Sequence, residues 1–220
     1  MAKLYLQRHL KSQWNVENRF AGWVDNPLSE EGIQQGEIAA QNLKEENFDI
    51  IYTSPLSRNK QTVLRILRLL GKKYPIFIYD NGKMKDWGIF DGPINHIPTF
   101  VAEELNERYY GKLQGLNKEE AKKTFGEEQV RLWRRSYDIA PPEGESLKDT
   151  FLRVVPYYQK YIEFNLKDKK DVLIVSSGNT LRSIVKYIEN ISDEEIINFE
   201  IPFGGLVKYD FDGKNYKNLQ

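Results

Sequence analysis

The chain has 220 residues, of which 40% are hydrophobic, and this is enough to bury one sizeable core. Its 32 basic side chains balance 32 acidic ones, so no net charge attracts nucleic acid or an anionic membrane. Cysteine is absent and the only histidines are His9 and His96, which excludes disulfides and argues against thiolate or histidine-rich metal sites. The first residues do not resemble a signal peptide and no apolar run has the length of a membrane span, so we expect a cytoplasmic protein.

The first third of the chain alternates strand-like and helix-like segments. Leu4–Leu6 predicts a short buried strand, and Ser29 is a typical N-cap for the helix that follows. Residues 49–53 predict a second strand, after which a helix runs as far as Gly71, a residue type that commonly ends helices. Residues 75–79 predict a third strand.

Residues 80–101 break this alternation. The segment contains three glycines, two prolines and several aromatic residues without a sustained period. Loops of this length are uncommon unless they are functional or flexible. We interpret the segment as a long structured loop inserted into a single domain that spans residues 1–220.

The rest of the chain returns to alternating elements. Asn117 predicts one helix start and Ser146 another, with Pro156 as a kink in the second helix. Residues 171–177 form the most apolar predicted strand and a helix follows them, while residues 205–216 predict a final strand and turn.

The alternation of strands and helices predicts an α/β fold with a mainly parallel central sheet and helices on both faces. Ligands of such sheets bind beyond the carboxyl ends of the strands. Three predicted strand ends carry polar residues, namely Arg8-His9, residues 54–58 and residues 176–179. We expect these three ends to face one crevice.

The residues at these ends suit an anionic ligand. Arg8, Arg58 and Arg182 offer planar guanidinium groups that match phosphate or carboxylate. Gly178, at a predicted helix start, lets backbone N–H groups approach an anion. Taken singly, each signal is weak, because a lone strand-end arginine is more often a surface residue and a Ser-Gly-Asn sequence is more often an ordinary turn. Glu107 could equally be the partner of a structural ion pair.

Considered together, several stretches carry a resemblance along nearly the whole chain. The chain resembles the cofactor-dependent phosphoglycerate mutases of the histidine phosphatase superfamily, and the block from Leu105 to Asp138 is the stretch most specific to the mutases. The matching stretches are RHLKSQWNVENRFAGWVDNPLSEEG, YTSPLSR, LNERYYGKLQGLNKEEAKKTFGEEQVRLWRRSYD, PPEGESLKDT, SGNTLR and SDEEIINFEIP.

The resemblance implies a three-layer α/β/α sandwich and a phosphohistidine mechanism. It implies an isomerase of glycolysis and gluconeogenesis that acts on a small phosphorylated substrate. It further implies 2,3-bisphosphoglycerate as the priming phosphate donor, no metal requirement, and a homodimer or homotetramer that interacts with neither nucleic acid nor membrane.

The resemblance also assigns roles to individual residues. His9 is similar to the phosphorylated nucleophile, Arg8 and Arg58 to the groups that bind phosphoryl oxygens, and Glu107 to the general acid/base. Tyr110, Lys118, Arg134 and Arg135 resemble the clamp for the substrate carboxylate and second phosphate. The full set of expected substrate-binding residues is Ser12, Asn15, Ala21, Gly22, Tyr110, Lys118, Arg134, Arg135, Gly178 and Asn179.

Five positions depart from the family pattern. Leu10 and Lys11 replace a glycine and an acid or amide; leucine would be strained if the position requires positive φ, and Lys11 would add a cation near the phosphate. Ala21 stands for a threonine and Tyr109 for a histidine. Ser177 takes the catalytic position at which the family carries its second histidine, so a neutral hydroxyl replaces a charged donor.

Three functions stay open on the sequence alone. The first is a phosphoglycerate mutase acting through phospho-His9, with activity reduced by Ser177. The second is a phosphomonoesterase of the same superfamily, and the third is a catalytically weak homologue that binds phosphorylated ligands. A replacement of the missing imidazole by His96 is the least expected explanation, because a histidine in such a loop is more often a surface or turn residue.

Overall fold

The computed structural model describes residues 1–71, 73–90, 92 and 95–219. Within these residues a seven-stranded sheet has the order β3-β4-β2-β5-β1-β6-β7. The strands are β1 (Ala2–Arg8), β2 (Ile50–Thr53), β3 (Tyr74–Tyr79), β4 (His96–Val101), β5 (Val172–Ser176), β6 (Leu206–Phe211) and β7 (Tyr216–Asn218). Strands β1 to β5 pair in parallel and β6 and β7 pair antiparallel, which confirms the mainly parallel sheet.

Helices cover the sheet and connect its strands. The α-helices are α1 (Gln13–Val16), α2 (Glu30–Asn42), α3 (Ser57–Leu70), α4 (Gly82–Trp87), α5 (Lys118–Phe125), α6 (Glu127–Arg135), α7 (Leu147–Tyr157), α8 (Glu163–Lys167), α9 (Gly178–Glu189) and α10 (Asp193–Ile196). A π-helix (Tyr158–Ile162) joins α7 to α8, directly after the predicted kink at Pro156. Among the described residues, no helix combines the length and the apolar character that crossing a bilayer would demand.

Alternate residues of the central strands enter two different cores. Leu4 and Leu6 of β1 belong to a cluster with residues of α7 and α9, whereas Tyr5 between them belongs to a cluster with residues of α2 and α3. Because successive strand side chains point to opposite faces, this division places one helical layer on each side of the sheet. The expected three-layer α/β/α sandwich is confirmed.

The predicted helix boundaries rest on side-chain caps. Ser29, Asn117 and Ser146 each accept a hydrogen bond from a backbone N–H in the first turn of the helix that follows. Gly71 ends α3 with φ of 60°, in the left-handed region that favours glycine.

The interpretation of residues 80–101 as one long loop is wrong. The segment contains helix α4 and strand β4, and β4 lies between β3 and β2 within the sheet. Pro98 obscured this strand, because proline lacks an N–H; it lies one residue before the stretch Thr99–Val101 that pairs with β2. Asp91, Pro93 and Ile94 lie outside the described residues.

The position of β4 also decides the role of His96. His96 begins β4 and pairs with the first residue of β3, whereas His9 follows the carboxyl end of β1. Since β1 and β4 run parallel in the sheet, His96 lies at the amino ends of the strands and His9 at their carboxyl ends. His96 therefore does not replace an imidazole near His9.

A partly buried carboxylate, that of Glu46, ties β1 and β6 to the segment between α2 and β2. Glu46 accepts hydrogen bonds from Tyr5 Oη (2.7 Å), Lys3 Nζ (3.2 Å) and Lys208 Nζ (2.9 Å). Partial burial raises the pKa of Glu46, but the hydrogen bonds from these three groups outweigh burial and lower the pKa from 4.5 to about 2.

The Glu46 cluster predicts a pH-dependent contribution to stability. A carboxyl whose pKa is lowered by folding stabilises the protein above pH 4.5, and this contribution is lost as the pH falls from 4.5 towards 2. We expect Glu46→Gln to lower the free energy of unfolding at pH 7 by about 1–3 kcal/mol. Urea denaturation of both proteins should show the difference shrinking as the pH falls below 4.5; a difference that is independent of pH would contradict the assignment.

Candidate active site

Residues from the three strand ends that the sequence predicted to meet line one cavity. Strands β2, β5 and β1 are neighbours in the sheet, and the His9 N–H donates to the Ser176 carbonyl (2.9 Å), which holds two of the ends together. The described residues lining the cavity are Arg8, His9, Asn15, Arg19, Phe20, Ala21, Gly22, Arg58, Glu107, Tyr110, Lys118, Arg134, Arg135, Gly178, Asn179, Arg182, Glu200, Ile201 and Phe203. Seven of these side chains are cationic and two are acidic.

The His9 imidazole is buried, oriented and neutral. Its Nδ1 lies 2.6 Å from the Leu10 carbonyl oxygen, which only accepts, so Nδ1 carries the proton and Nε2 keeps its lone pair. Burial lowers the pKa of His9 well below its usual value, and the charges of Arg58 and Arg8 lower it further, whereas the Leu10 bond acts in the opposite direction. His9 therefore presents a neutral nucleophile at neutral pH.

Leu10 fits its position without strain. It is not among the described residues with positive φ, and its side chain is fully buried in the core cluster that contains Tyr5 and Val63. Its N–H donates to Thr62 Oγ1 (3.1 Å). Its carbonyl orients the His9 imidazole, and its side chain fills apolar space in the core.

Lys11 does not supply a cation to the cavity, so that expectation is wrong. Its Nζ lies 2.9 Å from both carboxylate oxygens of Glu31 on α2, and it does not line the cavity. The Lys11 carbonyl accepts from Ser29 N–H (3.0 Å), and a Cβ on Gly32 would come within 2.0 Å of that carbonyl oxygen. This close approach, which only glycine permits, draws Lys11 to the start of α2.

The charges of a nearly buried arginine, Arg8, and a fully buried one, Arg58, act on His9. Arg58 donates from Nη2 to the Gly22 carbonyl (2.7 Å), and Gly22 holds the left-handed φ of 50° that directs this carbonyl. Arg8 donates to the Ile201 carbonyl, and its guanidinium lies 3.8 Å from the centre of the Phe203 ring. Burial lowers the pKa of both arginines, and the Nε of each is buried without a partner among the described residues. Both groups stay cationic and are incompletely satisfied, which favours an anion between them.

Glu107 is held through one carboxylate oxygen. Its Oε1 accepts from Arg108 N–H (2.7 Å), Asn179 Nδ2 (2.9 Å) and Asn179 N–H (3.2 Å). Its Oε2 has no hydrogen-bond donor among the described residues, and the side chain lines the cavity. This arrangement leaves one oxygen to exchange a proton with a ligand hydroxyl.

Arg153 fixes the segment that carries Glu107. Its guanidinium makes a two-point ion pair with Glu145 (2.9 and 2.8 Å) and donates to the carbonyls of Glu104 (2.8 Å) and Glu107 (3.3 Å). The Trp23 indole N–H donates to the same Glu107 carbonyl (2.6 Å). The Glu107 carbonyl is thus held by two donors from separate parts of the chain, Arg153 and Trp23.

Helices α5 and α6 bring further cations to the cavity. Lys118 begins α5, and Arg134 and Arg135 end α6. Burial lowers the pKa of Lys118, and the charge of Arg134 lowers it further. The two helices are held by a small apolar cluster that contains Phe20 and Trp133, so the basic residues that the sequence predicted as a clamp share one wall.

Two of the predicted residues lie behind the cavity wall. The Ser12 hydroxyl donates to Asn15 Oδ1 (2.8 Å), so it orients Asn15, which does line the cavity. Ser177 is fully buried at the start of α9, and its Oγ lies 3.4 Å from Asn59 Nδ2. Tyr109, in contrast, is partly exposed and packs edge-on against Trp23.

The structure adds residues that the sequence reasoning missed. Arg19, Phe20, Glu200, Ile201 and Phe203 line the cavity, and Arg182, which was noted only as a strand-end arginine, joins them. The segment around Glu200 belonged to a matching stretch, but its alternation of acidic and apolar residues suggested no contact with distant arginines. Glu200 reaches the cavity through contacts with Arg8 and Arg135, which are distant in the chain and cannot be predicted from sequence spacing.

Comparison with known proteins shows the family of the chain. The family model of the histidine phosphatase superfamily (branch 1) matches residues 4–97 and 88–219. A 2,3-bisphosphoglycerate-dependent phosphoglycerate mutase of Methanococcus vannielii is 48% identical, covering 100% of this chain and 94% of the relative. A protein of the same name from Chlamydia felis is 46% identical, covering 99% and 97%. The chain belongs to branch 1 of the histidine phosphatase superfamily and, within it, to the 2,3-bisphosphoglycerate-dependent phosphoglycerate mutase family.

Solved structures share the fold at low identity. Bacillus stearothermophilus YhfR has a TM-score of 0.78 at 22% identity, covering 100% of this chain and 96% of that one. A mycobacterial glucosyl-3-phosphoglycerate phosphatase has a TM-score of 0.75 at 18% identity, covering 99% and 97%. At these identities the likeness establishes the fold alone.

The electrostatics around His9 predict that it does not titrate near neutrality. Because burial and two arginines lower its pKa, we expect the imidazole to remain neutral and protonated at Nδ1 from pH 8 down to well below the usual 6.5. Nitrogen-15 NMR of a His96→Gln variant isolates the His9 signals. A midpoint at or above 6.5, or a proton on Nε2, would contradict this environment.

Proposed function

We propose that this protein interconverts 3-phosphoglycerate and 2-phosphoglycerate through a phosphohistidine at His9. The observation that carries the proposal is the neutral imidazole of His9, held by the Leu10 carbonyl, in the same cavity as Arg8, Arg58 and Glu107. The names of full-length relatives at 41–48% identity support the same reaction.

The geometry suggests how the chain would transfer the phosphoryl group. His9 Nε2 attacks phosphorus, so an N–P bond forms as the P–O bond to the ligand breaks. Arg8 and Arg58 stabilise the charge spread over the phosphoryl oxygens, and the Leu10 carbonyl stabilises the positive charge that develops on the ring. Glu107 Oε2 gives a proton to the departing oxygen. In the second transfer, the N–P bond breaks as the other ligand hydroxyl receives the phosphoryl group, and Glu107 Oε2 takes the proton of that hydroxyl.

The residues present fit 2,3-bisphosphoglycerate as the priming compound. The cavity wall has seven cationic side chains, and the buried Nε atoms of Arg8, Arg58 and Arg182 have no partner among the described residues. Arg8 and Arg58 would hold one phosphate, and Lys118, Arg134 and Arg135 the other anionic groups. When bound, the compound would supply the phosphoryl group that primes His9.

Further properties follow the resemblance. We infer a cytoplasmic enzyme that acts on a small phosphorylated substrate, and a homodimer or homotetramer stays a prediction. No group of three or more His, Cys, Asp or Glu residues in the described ranges is arranged to hold a metal ion, and a metal-independent reaction also stays a prediction.

The serine at position 177 lowers the rate of phosphoryl transfer that we expect. A serine hydroxyl provides no positive charge for the transferring group, and the loss of one such donor costs about 10²–10³ in rate. Asn59 stands beside Ser177 with its Nδ2 also donating to Ser54 Oγ (2.5 Å), so a larger side chain at position 177 would meet Asn59. Restoring an imidazole here therefore requires room at Asn59.

A coupled enolase assay with and without 2,3-bisphosphoglycerate tests the function. We expect slow turnover of 3-phosphoglycerate that 2,3-bisphosphoglycerate stimulates and that His9→Gln abolishes. The double variant Ser177→His/Asn59→Ala should raise turnover by about 10²–10³. Ser177→His alone should gain less, because the imidazole meets Asn59.

Two outcomes would contradict the mutase assignment. Absence of turnover in the natural protein, in Ser177→His and in the double variant would exclude it. Phosphate release from several unrelated monoesters at rates above the mutase turnover would instead favour a phosphomonoesterase.

A further inference from the structure

The segment between α10 and β6 is fastened to the strand end that carries His9. Arg8 N–H donates to the Gly205 carbonyl (2.9 Å), and Gly204 N–H donates to the His9 carbonyl (3.2 Å). Phe203 stacks on the Arg8 guanidinium at 3.8 Å. These contacts fix the backbone next to Glu200, so its carboxylate is presented to the cavity from a defined position.

Glu200 bridges two arginines that come from separate elements. Its Oε1 lies 3.6 Å from Arg8 Nη1, and its Oε2 lies 3.2 Å from Arg135 Nη2. Partial burial raises the pKa of Glu200, but the hydrogen bond and charge of Arg135 and the charge of Arg8 outweigh burial, so the pKa is lowered. The carboxylate is therefore ionised at neutral pH.

The two acids of the cavity wall are held in different ways. Glu107 is fixed by backbone and amide N–H groups, whereas the contacts described for Glu200 are with arginines alone. The Glu200 side chain is 54% exposed and that of Arg135 is 41% exposed, while Arg8 is nearly buried. An exposed ion pair is weak, so the bond between Glu200 and Arg135 is the one that opens at little cost.

We propose that Glu200 is a specificity-determining residue, a resident counter-anion that the second anionic group of a ligand displaces from Arg135. The inference rests on the proposed function, because it places the ligand phosphoryl group against His9 and its carboxylate near Arg135. A ligand with two anionic groups must break the ion pair between Glu200 and Arg135 when it binds, and this cost lowers its affinity. A phosphoester without a carboxylate leaves the pair intact and is affected less.

This arrangement has a consequence for ligand selection. By partly neutralising Arg135, Glu200 reduces the preference of the site for a second negative charge. It also returns to Arg135 when a doubly anionic ligand leaves, which favours exchange of ligands over tight retention. The cavity accordingly combines an excess of cations with one carboxylate that limits their effect.

Calorimetric titration tests the inference with two ligands, 3-phosphoglycerate and glycerol 3-phosphate, which lacks the carboxylate. Glu200→Gln should tighten the binding of 3-phosphoglycerate about two- to fivefold and that of glycerol 3-phosphate less than twofold. In an Arg135→Met background, Glu200→Gln should change the affinity for the two ligands by the same factor.

A matched control lies on the helix that carries Arg135. Glu128 pairs with Arg131 on the exposed side of α6 and does not line the cavity, so Glu128→Gln should change neither affinity. Because Glu200 is half-exposed, Glu200→Gln should fold normally, as thermal denaturation can confirm.

Several results would overturn the inference. Weaker binding of 3-phosphoglycerate by Glu200→Gln would mean that Glu200 positions Arg135 for the ligand. Equal tightening of both ligands would indicate a general field effect, and no change would show that the ion pair is not displaced. If the natural protein bound no 3-phosphoglycerate, the proposed function would fail as well, whereas binding without the predicted shift overturns the inference alone.

Discussion

Burial of arginine side chains around one neutral histidine is the constraint on which the rest of the site depends. Removing a guanidinium from water is costly unless carbonyls or anions replace the lost contacts. Arg8 and Arg58 are partly compensated by backbone carbonyls, and burial lowers the pKa of Arg182 to about 10. Burial of His9, together with the charges of Arg58 and Arg8, lowers its pKa and keeps it neutral. One arrangement therefore both attracts a phosphoryl group and preserves the nucleophile that receives it.

The surrounding fold converts this arrangement into a site with two ends. Parallel strands deliver His9 and the start of α9 to one edge, and the α5–α6 pair adds cations from a separate part of the chain. Acids enter in two roles: Glu107 is anchored for proton exchange, and Glu200 balances Arg8 and Arg135. The absence of net charge in the whole chain therefore conceals a strongly cationic cavity.

Sequence patterns predicted the parts of this structure that local chemistry determines. Apolar runs and the capping residue Ser29 indicated strands and helix starts, and the resemblance placed His9 and Glu107 in one site. Strand β4 was not predicted because Pro98, which is unfavourable within a sheet, interrupts its sequence pattern. The direction of the Lys11 side chain depends on the close approach of the Lys11 carbonyl to Gly32, which only a glycine permits. The contacts of Glu200 join residues far apart in the chain, so no spacing rule could reveal them.

The central claim is that His9 accepts a phosphoryl group despite the serine at position 177. Phosphorus-31 NMR after incubation with 2,3-bisphosphoglycerate tests it most directly, since a phosphoramidate signal that disappears on acidification reports a phosphohistidine. We expect the signal in the natural protein and in His96→Gln, and its loss in His9→Gln. No signal in the natural protein, or a signal that survives in His9→Gln, would contradict the claim.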